Sequence, residues 1–239
     1  MRKPSAARTR LPRPAKSPAP GHKRAALQTA GPGEDTPYHH GALRDALLEA
    51  AERVLERDGL TGLTLRAVAR EAGVSHAAPT HHFGDLTGLV SELAAIGFRR
   101  FSAAQAAAFA TATHPNERGM AAAKAYLDYA RSHPGLYGLM FRNERLDMTR
   151  PALREAADAS FAGFANAIGS YRNEKISRES LTLEQAADIA RSWSLIHGFS
   201  SLLIDGRLNG MLRCLPEGTD ADSLLTAMLM STLRRPAGP

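Results

Sequence analysis

Histidine is the residue type best placed to do chemistry in this 239-residue chain, which has nine of them. Five, His39, His40, His76, His81 and His82, fall within one stretch of the N-terminal half. A metal site would need further ligands at chelating spacing, and no Cys, Asp or Glu accompanies these histidines in that way. Adjacent residues on a helix also point about 100° apart, so neither His pair can close on one ion. What remains is hydrogen bonding to bases or phosphates, helix capping, or contact with solvent. Catalytic patterns are absent: there is no His-Glu-x-x-His, no Gly-x4-Gly-Lys-Ser/Thr and no Gly-x-Ser-x-Gly. A carboxylate-bridged di-iron bundle would need Glu three residues before His, and none of the nine histidines has it. No catalytic residue, metal or cofactor is expected.

A second group of reactive types lies toward the C-terminus. Trp193 and His197 are one turn apart on a helix face, an aromatic beside one polar group. That pair suits either a small-molecule pocket or packing near a subunit interface. Tyr137, Met140, Phe141, Phe161 and Phe164 could line an apolar pocket between helices or simply fill the core. Residues Arg142, Asn143, Glu144 and Arg145 read as the solvated end of a helix.

The elements that must position these residues are helical, because apolar residues recur at three-to-four spacing almost everywhere beyond the first 36 residues. Leu43, Ala46, Leu47, Ala50, Val54 and Leu55 mark a first helix that stops at Gly59. Thr64 caps a short segment, Leu65–Ala72, since its hydroxyl can accept a backbone N–H with no partner inside the helix. Gly73 ends that segment, and Ser75 is expected to cap the next, which runs to about Phe83. Ala69 and Gly73 have helix-turn-helix spacing: a small residue where two helices cross, and glycine at the turn where positive φ costs it little. The second helix could then enter a DNA major groove with its N-terminal residues toward the bases. Pro79 sits early enough in it that the hydrogen bond it removes is only the first. A long helix follows from about Asp85 to Ala112. Further helices are expected at 116–133, 135–146, 151–173, 183–205 and about 220–234, with Pro115, Pro134, Pro151 and Pro216 near their boundaries. The last two carry apolar residues on two sides and must be buried on two sides, either within one subunit or in an intersubunit four-helix bundle. The fold class is all-α, with no β-hairpin signal and no repeat.

Several segments resemble the tetracycline-repressor (TetR) family. Tyr38-His39-His40-Gly41-Ala42-Leu43-Arg44-Asp45-Ala46-Leu47-Leu48 is similar to the opening of one branch, and Gly73 through Phe83 resembles its recognition helix. The run His133-Pro134-Gly135-Leu136-Tyr137 through Met140-Phe141 and the run Trp193-Ser-Leu-Ile-His197-Gly198 resemble that branch's C-terminal domain. The resemblance covers roughly residues 38–234. It implies three DNA-binding helices followed by a regulatory and dimerisation domain of six or so, and a homodimer formed through helices 183–205 and 220–234. It also implies binding to double-stranded operator DNA, and repression relieved by a small apolar effector. By position, His76, Ala77, Thr80 and His81 would face the major groove. Thr64, Ser75 and His82 would lie near phosphates, with Arg66 in the same surface and Arg44, His39 and His40 at the edge of the first helix. Two positions depart from the family pattern: Thr80 stands where an aromatic is common, and Leu86 where a lysine is, so two phosphate contacts are missing. A constitutive or architectural DNA binder with a filled C-terminal core is the other reading the sequence leaves open.

Charge locates the remaining organisation. The formal net charge is +6, yet residues 1–33 alone hold eight Lys and Arg and no acid, leaving −2 on the rest. Residues 1–36 read as a disordered basic tail rich in Pro and Ala, whose prolines exclude an amphipathic targeting helix. That tail either adds phosphate attraction in place of the missing contacts or is a solvated extension. Residues 37–84 read as the DNA-binding domain, 85–235 as the ligand-sensing and dimerisation domain, and 236–239 as a disordered end. No apolar run is long enough to span a bilayer and the single cysteine, Cys214, has no disulfide partner, which point to the cytoplasm.

Overall fold

The computed structural model describes residues 38–233, and all regular structure among them is helical. Expectations for the tail 1–36, for residues 236–239 and for the side chains of His39 and His40 lie outside the described residues. In chain order the helices are α1 (Tyr38–Gly62), α2 (Leu65–Glu71), α3 (Ala78–Phe83), α4 (Leu86–Thr111) and α5 (Pro115–Ser132). They continue with α6 (Pro134–Met140), α7 (Pro151–Arg172), α8 (Leu183–Ile204), α9 (Asn209–Leu212) and α10 (Ala221–Leu233). Single 3-10 turns occupy Asn143–Arg145 and Arg178–Ser180.

Local chemistry fixes where these helices start and stop. Thr64 Oγ accepts the Ala67 N–H at 3.1 Å, and the Asp85 carboxylate accepts the Gly88 N–H at 2.7 Å. Thr182 and Gln185 form a reciprocal capping box at the head of α8. Pro115, Pro134 and Pro151 open α5, α6 and α7, where a backbone N–H would have no helical partner. Gly59, at φ 69°, breaks α1 one turn before its end. Two expectations need correcting. Ser75 does not cap α3: its carbonyl accepts the Ala78 N–H in a tight turn, and the helix starts three residues later with Ala77 in the cap position. Pro79 thereby falls in the first turn of α3, where it removes no helical bond. The helix expected over 135–146 ends at Met140, and its remainder tightens into the 3-10 turn.

One core runs without a break from the N-terminal helices to α10. It contains Leu47 and Val54 of α1, Val68 of α2, Phe83 of α3, Leu89 and Leu93 of α4, Leu127 of α5, Leu136 of α6, Leu153 of α7, Phe199 of α8 and Leu225 of α10. Helix α4 is central to it, with every position from Gly88 to Ala95 except Glu92 buried. Each such leucine contributes about 2 kcal/mol by burial, against well under 1 kcal/mol for an exposed ion pair, so packing sets the position of α4 and charges only trim it. A smaller cluster of Ala165, Ile176 and Ile189 joins α7 to α8. No helix among the described residues is long and apolar enough to cross a membrane.

Candidate nucleic-acid interface and internal cavity

Helices α2 and α3 present a polar surface on a rigid base. Val68 and Ala69 are fully buried, Gly73 takes φ 69° at the turn, and the Val74 N–H returns to the Ala69 carbonyl at 3.0 Å. Pro79 and Phe83 bury the inner side of α3. Its outer side and the approach to it leave Thr64, Arg66, Ser75, His76, Ala77, Thr80 and His81 exposed together. His82 is half-buried, edge-on to the His81 ring at 5.3 Å. Imidazoles and a threonine hydroxyl can donate to or accept from base edges and phosphates, and the methyls of Ala77 and Thr80 suit a thymine methyl.

The arginines nearby are mostly committed elsewhere. Arg53 and Arg57 both donate to Glu71, at 3.0 and 2.9 Å, and Arg57 also grips Asp58. The two guanidiniums hold the Glu71 carboxyl below its usual range, Arg57 having the larger effect. Arg44 pairs with Glu92 of α4 and lies over the Phe83 ring, 5.5 Å from its centre, so it faces the protein. Arg66 is exposed and makes no ion pair among the described residues. This surface therefore carries little uncompensated positive charge.

A cavity of about 790 Å³ opens between α5, α7 and α8. Met120, Ala123, Phe164, Ile168, Ile196 and Leu229 give it an apolar lining. Charge gathers at one side, where Arg172 pairs with Asp188 and, at 3.2 Å, with Glu174, while Arg191 reaches Asp188 at 2.6 Å. Of the seven residues expected to line a pocket, only Phe164 is on this wall. Met140 is buried under Gly97, where a Cβ would come within 2.8 Å of its sulfur, and Phe161 stacks beneath Arg178 instead. Core packing holds Tyr137, whereas Trp193 stays 44% exposed.

Tyr137, Phe141, Trp193 and His197 are nevertheless brought together around a buried polar hub. His197 Nδ1 lies 2.8 Å from the Tyr137 hydroxyl and 3.0 Å from that of Tyr126, and the two hydroxyls are 3.3 Å apart. Phe141 packs edge-on against His197 at 4.6 Å, and the Trp193 ring lies 6.3 Å from it. Burial pushes the His197 pKa down and both tyrosine pKa values up, so all three groups are neutral at pH 7. With the imidazole proton on Nε2, the single Nδ1 lone pair accepts from one tyrosine hydroxyl, whose oxygen can accept from the other. Tyr126, absent from the sequence reading, belongs both to this hub and to the cavity wall. The only sequence sign of it was a tyrosine on the inward stripe of α5, whose hydroxyl must find a buried partner.

Two family models match the chain: "Bacterial regulatory proteins, tetR family" over residues 47–93, and "Tetracyclin repressor-like, C-terminal domain" over residues 120–231. A solved protein of unknown function from Rhodococcus sp. RHA1 is 34% identical, with 84% of this chain and 98% of that one covered and a TM-score of 0.67. The TetR family transcriptional regulator PfmR from Thermus thermophilus shares the fold at 18% identity, covering 79% and 97% of the two chains with a TM-score of 0.56. The multidrug binding protein EbrR, solved with imidazole, does so at 22% identity, covering 88% and 100% with a TM-score of 0.51. No curated protein matches the chain.

Proposed function

The chain belongs to the TetR family of bacterial regulatory proteins, and on that basis we propose that it is a cytoplasmic homodimeric repressor, binding a palindromic operator and leaving it when a small, largely apolar effector fills the cavity. DNA-binding transcriptional regulation, not catalysis, is the family's role. The observation that supports the finer reading is the exposed pair Thr80 and His81 on α3, with His76 and Ala77 exposed in the turn and cap just before it, on an element whose other side is locked into the core. These four are assigned to base edges, with Thr64, Arg66, Ser75 and His82 beside phosphates.

Dimerisation is assigned to α8 and α10. Trp193 and Leu202 of α8 and Met230 of α10 stay 44%, 42% and 49% exposed, apolar surface that a partner subunit would cover. Two recognition helices held about 34–36 Å apart would then meet successive major grooves on one face of DNA. An effector favouring a wider spacing would weaken binding by its differential affinity for the two states. The cavity falls within the roughly 300–1,000 Å³ of small-molecule sites, which favours a sensor over a constitutive binder. EbrR, a structural neighbour, is named for multidrug binding.

Selection from randomised duplex DNA at near-physiological salt tests this. An inverted repeat with half-sites about one helical turn apart is expected. Failure to enrich any site, with binding that vanishes as salt rises, would sink the reading.

A further inference from the structure

The last residue of α3 is held from two sides by arginines that share one carboxylate. Arg150, at the head of α7, places Nη2 3.5 Å from the Phe83 carbonyl, Nη1 3.8 Å from Glu92, and Nε 3.5 Å from Asp147. On the other side, Arg44 of α1 pairs with the second oxygen of Glu92 and covers the Phe83 ring. The Glu92 side chain is only 19% exposed, the most sheltered of the three. Phe83 itself is 2% exposed. Room for the guanidinium comes from Gly88, where a Cβ would lie 2.6 Å from Arg150 Nη2.

We propose that Arg150, with Glu92 and Arg44, is a clamp that sets the angle of α3 on its target, making Arg150 a positioning residue for operator binding although it does not touch DNA. Three features support this. A cation at the C-terminal end of a helix meets the negative end of its dipole and an otherwise unpaired carbonyl. The planar fork of Arg150, which lysine lacks, donates to one carbonyl while facing two carboxylates at ion-pair distance, its Nε making no hydrogen bond. The clamp also joins α1, α3, α4 and the head of α7 at one point, so displacement of α7 by a molecule in the cavity, whose wall includes Phe164 and Arg172 of α7, reaches the recognition helix through Arg150. The proposal rests on α3 being the recognition helix.

The test uses the full chain, the selected operator duplex and four variants, Arg150→Gln, Arg150→Lys, Glu92→Gln and His81→Ala. Arg150→Gln and Glu92→Gln should each weaken operator binding at least tenfold. In the free protein they should speed deuterium uptake at the amides of Thr80–Gly84. Arg150→Lys should restore binding only in part. The slope of log affinity against log salt should not change, whereas removing a direct phosphate contact would lower it by about one. Binding within twofold of the parent in both Gln variants, or a slope reduced by one, overturns the clamp. His81→Ala separates the two failures. If it too leaves binding intact, the assignment of α3 is wrong; if it weakens binding while the Gln variants do not, that assignment stands and the clamp falls.

Discussion

The carboxylate of Glu56, on α1, accepts the backbone N–H of Leu136, the third residue of α6, at 2.9 Å. Its other oxygen accepts that of Gly135, also at 2.9 Å. A residue of the first helix thus caps a helix of the C-terminal region some 80 positions away. Gly135 makes it possible, since a Cβ there would lie 3.1 Å from the Leu55 carbonyl. The same helix carries Tyr137 into the His197 hub, and Tyr126 connects that hub to the cavity.

Replacing Glu56 with Ala should therefore destabilise the fold by about 1 kcal/mol, the usual value of a side-chain cap at a helix start. The urea midpoint should fall with an unchanged slope. A midpoint equal to the parent's would mean that water replaces the carboxylate at no cost.

His197 predicts a pH dependence. Its pKa is depressed in the folded chain from an ordinary 6.5 by burial. Below that pH the unfolded state takes up a proton that the folded state refuses, so stability is complete above it and declines as the solution is acidified toward the folded pKa. The decline should approach about 1.4 kcal/mol per pH unit from this group alone. Denaturant titrations from mildly alkaline to mildly acidic pH should show it in the parent, and the His197→Gln variant should lack that component.

The basic segment can be weighed in the same way. Of the five arginines in residues 38–84, Arg44, Arg53 and Arg57 are tied up in ion pairs, which leaves the interface short of free cations. If the eight basic residues of 1–33 make up the difference, removing that segment should flatten the salt dependence of operator binding by about one unit for each phosphate it had neutralised. An identical slope would mark the segment as unconnected with DNA.

Helix boundaries were legible wherever the signal is local. Thr64 and the three helix-opening prolines each act within a few residues, and sequence spacing exposes them. Ser75 misled because a capping residue type is also a good turn residue, and here the backbone of 75–78 closes as a turn. His81 and His82 lie on one short element, so their placement side by side on α3 follows from sequence spacing. Glu56, Glu92, Arg150 and Tyr126 could not be read in this way, since each finds partners far along the chain on other helices, and an isolated Glu on α1 looks like any solvated charge. Most of the residues expected to line a pocket lie off the cavity wall, which forms where smaller residues, Ala122, Ala123 and Ala167, leave room.

The unbroken core has a practical consequence for anyone wishing to rewire this regulator. The obvious place to cut, when DNA-reading heads are swapped between sensors, is the junction after the third helix. Here that cut would strand Phe83 from Arg150 and Glu92, and Glu56 from the amides of α6. It would also expose Leu47 and Val54 where they meet the rest of the interior. A transplantable unit must carry α4, α6 and the start of α7 along with the head, so the exchangeable piece is the wall of the cavity, not the reader of the DNA.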